Sequence, residues 1–170
     1  MKPILLLDRD GVVNESPILP DRYILNVEKL NIRKGVIREI VRIQEFASVA
    51  FISNQQCVGK HLVTLHELNI INREINQSLI SHGGTAVEFF TCPHLEEDNC
   101  ECRKPKPGLL LQAINLYRNG DKRECIFVGD QEVDFEASTR AEIAFQMVYD
   151  EVSTVSALSR IHLKSFTNME

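Results

Sequence analysis

The sequence predicts an α/β fold built on a parallel sheet, and three observations carry that prediction. Five short β-rich apolar runs recur along the chain, stretches of helical periodicity separate them, and four of the runs end in a polar cluster. Ile4 to Leu7 is too short for a helix and reads as a buried strand that delivers Asp8-Arg9-Asp10-Gly11 to a turn. In extended chain residues two apart share a face, so Asp8 and Asp10 can converge on one ligand while Arg9 points elsewhere. Two neighbouring carboxylates repel, which makes a divalent cation their natural companion; the same tract also reads as a strand followed by an ordinary Asp-Gly turn.

The remaining elements follow in order. A first helix is expected from about Gly35 to Glu45, with Val36, Ile37, Ile40 and Val41 inward, although its start carries no clear signal. Val49 to Ile52 forms the second strand and ends in Ser53-Asn54-Gln55. Thr64 and Glu67 make a capping-box pattern before a stripe of Leu65, Leu68, Ile71, Ile75 and Leu79, and Gly83-Gly84 stops that helix. Val87 to Phe90 is the third strand, and Pro107-Gly108 opens a third helix through Leu110, Ala113, Ile114 and Tyr117. Ile126 to Val128 leads into Gly129-Asp130 and a fourth helix, Ile143 to Val148 is the fifth strand, and a short helix is expected around Thr154 to Ile161 before a fraying tail. The irregular segments are 14–32, with Pro17, Pro20 and Asp21 as turn residues, and 91–107. Loops of this length in a compact domain usually serve a function or are disordered.

Composition narrows the class. The 170 residues fit one domain spanning 1–170, and no linker, repeat or low-complexity tract divides it. A 44% hydrophobic and 25% charged chain is an ordinary globular sequence, and a net charge of -5 argues against a general nucleic-acid binder. The apolar stretch before Asp8 is short for a signal peptide, and no run reaches membrane-spanning length. Three of the five cysteines crowd into Cys92, Cys100 and Cys102, which suggests metal in a reducing compartment more than a disulfide framework. A cytoplasmic protein with no membrane or nucleic-acid partner is the expectation.

In a parallel sheet the ends of all strands lie on one edge, and ligands of open α/β sheets bind outside that edge. Asp8 could there be a nucleophile forming an acyl-phosphate, and Asp10 could protonate a departing alkoxide and then take a proton from water. Asp130, aided by Asp134, could complete a Mg²⁺ site with Asp8 and a backbone carbonyl, while Ser53 and Lys104 stabilise charge on phosphoryl oxygens. Each residue also has a plainer reading: a turn or cap at Ser53-Asn54, a solvated Lys104, a first-turn helix acid at Asp134, an N-cap at Asp130. Cys92, His94, Cys100 and Cys102 fit a closed Cys₃His zinc site, two pairs each separated by one residue, structural because no coordination position stays open. Disulfide or unrelated thiols are the alternative there. Cys57 and Cys125 read as buried small hydrophobes.

Asp8-Arg9-Asp10-Gly11-Val12, Ser53 after an apolar strand, Lys104, and Gly129-Asp130 with Asp134 resemble the motifs of the haloacid dehalogenase (HAD) superfamily of aspartyl-phosphate phosphatases, across residues 4–148. Ser53-Asn54-Gln55 and Cys92-Pro93-His94 followed by Cys100-Glu101-Cys102-Arg103-Lys104-Pro105 resemble its heptose 1,7-bisphosphate 7-phosphatase and histidinol-phosphate phosphatase subgroup. The resemblance implies a three-layer Rossmann-like sheet in order 3-2-1-4-5 without a separate cap domain. It implies Asp8 as nucleophile, Asp10 as acid/base, Ser53 and Lys104 as phosphoryl stabilisers, Asn54 and Arg103 as substrate-binding residues, and Gly129 and Asp134 as supports. Mg²⁺ would be held by Asp8, the Asp10 carbonyl and Asp130, and Zn²⁺ by the Cys/His loop, which would hold Arg103 and Lys104 beside the phosphate.

The implied reaction is removal of the 7-phosphate from a heptose 1,7-bisphosphate; the expected partner is a small phosphorylated metabolite and the expected state a monomer. Histidinol phosphate is the alternative substrate, and a catalytically silent binding protein the alternative class. Cys57, where glycine is common, and Gln131, where a basic residue is common, depart from the subgroup pattern.

Overall fold

The computed structural model describes residues 1–17, 22–162 and 165–166. Pro20 and Asp21 of the first long loop, and most of the tail after His162, lie outside the described residues. Five strands, β1 (Ile4–Asp8), β2 (Ser48–Asn54), β3 (Glu88–Cys92), β4 (Cys125–Gly129) and β5 (Ala144–Met147), form one parallel sheet in the order β3-β2-β1-β4-β5. The helices are α1 (Lys34–Gln44), α2 (Leu65–Ser81), α3 (Gly108–Arg118), α4 (Glu132–Ala141) and α5 (Glu151–Arg160). The expected order of strands and the alternation with helices are both observed.

The period of two along the strands decides which layer each side chain joins. Leu5, Leu7, Val49, Phe51, Ile126 and Val128 pack with Val36, Ile37, Ile40 and Ile43 of α1, Ile75 and Leu79 of α2, and Leu158 of α5. Ile4, Leu6, Ala50, Ile52 and Phe127 pack on the other face against Leu109, Leu110, Ala113 and Ile114 of α3 and Ala137 and Ala141 of α4. Because both faces are covered, the central strands read as unbroken apolar runs, the mark of a buried parallel sheet.

Element ends differ from expectation where the cap is not local. The capping box of α2 forms as its sequence predicts: the Glu67 N–H donates to Thr64 Oγ1 at 3.2 Å and the Thr64 N–H to Glu67 Oε2 at 2.7 Å. At α1 the N-cap Arg33 makes no side-chain cap bond; instead the Gly35 N–H donates to Glu151 Oε1, 2.9 Å away on α5. A cap supplied by a residue more than a hundred positions away leaves no local signal. The inward face of α1 also includes Ile43 in place of Val41, which is only partly buried. Helix α5 begins at Glu151, ahead of the expected Thr154, because Asp150 accepts from the Ser153 N–H at 2.7 Å.

The loop after β1 is pinned at its ends: the Glu15 N–H donates to Asn31 O at 2.9 Å and the Arg33 N–H to Val13 O at 3.0 Å. Among the described residues no helix is long and apolar enough to cross a membrane.

Ile40 is fully buried between α1 and the sheet. Ile40→Ala is expected to lower unfolding free energy by about 2–5 kcal/mol through lost burial and a residual cavity, measured by urea denaturation.

Candidate active site

Asp8 follows Ile4 and Leu6 in the alternation of β1, so it faces the α3/α4 side at the carboxyl end of the sheet. Lys104, in the loop between β3 and α3, reaches the same point. Its Nζ lies 2.5 Å from Asp8 Oδ1 and 2.6 Å from Asp134 Oδ1, and 5.6 Å from the centre of the Phe127 ring. All three charged groups are buried, Asp134 completely. Lys104 is therefore no solvated surface lysine.

Burial by itself would lower the pKa of Lys104, but the two carboxylates outweigh it and push it up. Burial raises the Asp8 carboxyl to about 8, with Lys104 opposing and Asp134 reinforcing the rise. One ammonium between two buried carboxylates leaves excess negative charge, which a further cation would offset.

Local backbone chemistry puts each group in place. Asn54, at the end of β2, closes a reciprocal amide pair with the main chain of Lys104: its Nδ2 donates to Lys104 O and its Oδ1 accepts from the Lys104 N–H, both at 3.0 Å. The residue expected to bind substrate thus also fixes the lysine main chain. Asp134 accepts the N–H groups of Asp130 and Gln131 on Oδ2, at 3.2 and 3.1 Å, closing the first turn of α4. The N-cap of that helix is Gln131 rather than Asp130.

Glycine is required twice. A Cβ on Gly129 would sit 2.5 Å from the Cβ of Asp134, and Gly11, at φ +88°, leaves room for the Asp130 carboxylate that any Cβ would strike.

Asp130 completes the acidic group. Gln131 Nε2 donates to its Oδ2 at 3.0 Å, while its Oδ1 is shielded from solvent and has no hydrogen-bond partner among the described residues. Burial raises this carboxyl as well. One oxygen from each of Asp8, Asp130 and Asp134 falls within 4.8 Å of the others, a donor set of hard oxygens suited to a divalent cation.

Asp10 is held quite differently. Its Oδ1 accepts from Arg9 Nε at 3.1 Å and Asn14 Nδ2 at 2.8 Å, and its Oδ2 from Arg9 Nη2 at 2.9 Å and Gln55 Nε2 at 2.6 Å. Burial pushes its pKa up, yet the Arg9 charge and the bonds from Arg9, Asn14 and Gln55 more than cancel that and hold it below the ordinary carboxylate range. The expectation that Arg9 points elsewhere is corrected here. Its backbone continues the Leu5 and Leu7 face toward α2, but the guanidinium folds back to grip Asp10, because a buried guanidinium needs an anion.

Asp8, Asp10, Ser53, Asn54, Lys104, Asp130 and Asp134 line one cleft of about 210 Å³, together with Ser16, Gln131 and Val133. Gln55 Nε2 also donates to Ser53 Oγ at 2.7 Å, linking Ser53 to Asp10. Ser16, Asn14 and the supporting role of Gln55 escaped sequence reasoning; Gln55 was visible only as part of a polar cluster, and Ser16 sits in a loop without periodicity. Arg103 is half-buried, with Nη1 shielded from water and no hydrogen-bond partner among the described residues.

In the loop beyond β3, Cys92, His94, Cys100 and Cys102 converge. Cys92 Sγ lies 3.6 Å from Cys100 Sγ and 3.7 Å from His94 Nδ1, and Cys102 Sγ lies 3.4 Å from Cys100 Sγ and 3.2 Å from His94 Nδ1. These are close to the edges of a tetrahedron with metal–sulfur bonds of about 2.3 Å. No disulfide forms among the cysteines. Burial works against ionisation at Cys100, but hydrogen bonds from Cys102, the Arg103 backbone and Cys92 bring its thiol down to about 7.

A parallel sheet in this order, with paired acids after β1 and a lysine and further acids converging from later strands, defines the HAD-like hydrolase class. A family profile described as HAD-hydrolase-like matches residues 101–166. A D-glycero-alpha-D-manno-heptose-1,7-bisphosphate 7-phosphatase of Mycobacterium tuberculosis is 32% identical over 133 residues, 78% of this chain and 69% of the relative. The histidine biosynthesis bifunctional protein HisB of Campylobacter jejuni is 34% identical over 134 residues, 77% of this chain but 37% of that longer protein. Among solved structures, a D,D-heptose 1,7-bisphosphate phosphatase from B. bronchiseptica complexed with magnesium and phosphate superposes with a TM-score of 0.83 and 26% identity, covering 94% of this chain and 99% of its own. The chain belongs to the heptose-1,7-bisphosphate 7-phosphatase family of HAD-like phosphatases.

The depressed pKa of Asp10 has a definite sign. A carboxyl lower in the folded than in the unfolded chain contributes stability that is present above the ordinary carboxylate value, about 3.9, and lost as pH falls through the folded value. The stability gap between wild type and Asp10→Asn is expected to be widest at neutral pH and to shrink in acid, measured by urea unfolding across that range. A gap that stays constant or widens in acid would contradict it.

Proposed function

We propose that this phosphatase is a Mg²⁺-dependent phosphomonoesterase that works through an aspartyl-phosphate on Asp8 and removes the 7-phosphate of a D-glycero-D-manno-heptose 1,7-bisphosphate. The observation that carries the mechanism is the contrast between two carboxylates opening into one cleft: Asp8 beside a buried ammonium, and Asp10 gripped by three side chains. The substrate follows from family membership.

In this reading an oxygen of Asp8 bonds to phosphorus and the ester P–O bond breaks, its electron pair leaving on the sugar oxygen. The Asp10 carboxyl supplies that oxygen with a proton. The negative charge of a bound phosphate raises the proton affinity of Asp10 for this step. In the second half-reaction Asp10 takes a proton from water, the water oxygen bonds to phosphorus, and the Asp8–phosphorus bond breaks to release phosphate. The Lys104 ammonium and the Ser53 hydroxyl face the same cleft and offset charge on the phosphoryl oxygens.

Asp8, the Asp10 carbonyl and Asp130 would hold Mg²⁺, with Asp134 behind them. The unpartnered buried oxygen of Asp130 and the three convergent carboxylates fit such an ion. When bound, the ion neutralises the approach of an anionic phosphate to an anionic nucleophile.

The four thiol and imidazole donors fit structural Zn²⁺. With the ion in place the loop carries Arg103 and Lys104 directly after a metal ligand. Arg103, with a buried donor unused, is suited to a second anionic group of the substrate.

Histidinol phosphate remains the second reading, because HisB is also a relative. A substrate panel of both heptose bisphosphate anomers and histidinol phosphate, read by phosphate release, decides between them. The heptose bisphosphate is expected to have the higher kcat/KM, and strong preference for histidinol phosphate would overturn the assignment. Asp8→Asn is expected to lose several orders of magnitude in kcat while remaining folded; near-wild-type turnover would exclude the covalent route.

For the loop, Cys102→Ser is expected to lower bound zinc, measured by elemental analysis, and to destabilise residues 92–104, measured by hydrogen exchange. Unchanged zinc content would remove the assignment.

A further inference from the structure

Arg9 is 1% exposed, the largest of the fully buried side chains, and it lies between two elements that the proposed chemistry does not otherwise connect. On one side its Nε and Nη2 hold both oxygens of Asp10. On the other its Nη1 donates to Asn72 Oδ1 at 3.0 Å. Asn72 is itself buried, 6% exposed, in the middle of α2, among the Leu68, Ile71, Ile75 and Leu79 positions that make that helix an apolar packing face. An amide within such a face is costly to bury unless it is hydrogen-bonded, and Arg9 is its side-chain partner.

The geometry points to Asn72 and Arg9 as a positioning pair that orients the Asp10 carboxyl for proton transfer to the leaving group. This rests on Asp10 being the acid/base.

A guanidinium is a planar fork, and fixing its third nitrogen fixes the plane in which the other two present themselves. With Nη1 tied to α2, the bidentate contact to Asp10 admits one orientation. Asn14 and Gln55 supply one bond to each carboxylate oxygen, so they complete the cradle but leave the plane to Arg9. The parity of β1 is what makes the pair possible: Arg9 is the next member of the Leu5 and Leu7 series, on the side that α2 covers.

A positioning role for proton transfer has a signature that a structural role lacks. Breaking the bond to an alkyl oxygen requires a proton, whereas a dinitrophenolate leaves readily without one. The test compares kcat/KM for the best alkyl phosphate of the substrate panel with kcat/KM for 2,4-dinitrophenyl phosphate, in wild type, Asn72→Leu, Arg9→Lys and Asp10→Asn.

Misplacing the general acid is expected to make the fall on the alkyl ester exceed the fall on the aryl ester by about ten-fold or more in both Asn72→Leu and Arg9→Lys. Equal falls on the two esters, or none, would overturn the proposal. Arg9→Lys keeps the charge but cannot span Asp10 and Asn72 together, so it answers the question should Asn72→Leu fail to fold. Asp10→Asn separates the two ideas: without the selective loss there, Asp10 is not the acid; with it there and not in the other two variants, only the positioning pair is refuted.

Discussion

The buried ammonium of Lys104 is the contact on which the site's arrangement depends. It lies within 2.6 Å of carboxylates from two separate elements, β1 and α4, and it arrives from a third, the loop after β3. Three chain segments therefore share one cation. Breaking a buried ion set by removing one member costs about 3–5 kcal/mol, because the charges left behind stay buried and uncompensated. The surrounding structure serves that contact: Asn54 fixes the lysine main chain, Asp134 is fixed by two backbone N–H groups, and Gly129 makes room for Asp134.

Against this triad the second acid stands apart. Asp8 sits in an environment that favours a proton or a cation, and Asp10, two residues on, in one that favours its ionised form. Chain alternation brings both acids to one face, and their partners separate them, an ammonium for one carboxylate and a guanidinium with two amides for the other. Two like groups in one short tract are thus held in opposing environments.

Much of the fold was legible because its signals are local. The apolar runs are short, both faces of the sheet are covered, and the capping box at Thr64 and Glu67 is complete within four residues, so strands and α2 could be placed from pattern alone. The start of α1 could not, since its cap is Glu151 of α5. Asp8, Lys104, Asp130 and Asp134 were legible as polar residues at strand ends, where parallel topology brings them to one edge. Arg9 was misjudged because alternation predicts where a Cβ points and says nothing of where a long flexible side chain ends.

The linear chain already carried the strand order, through its family motifs, the two apolar layers, and the strand ends that hold acids, thiols and the lysine. These follow from periodicity and from residue type, properties a linear chain already holds. Which acid meets which cation was settled by folding. That choice rests on distances of a few ångströms between segments far apart in the chain, such as Asp8 to Lys104 and Arg9 to Asn72, and Coulomb and hydrogen-bond energies depend on those distances and on the burial that surrounds them.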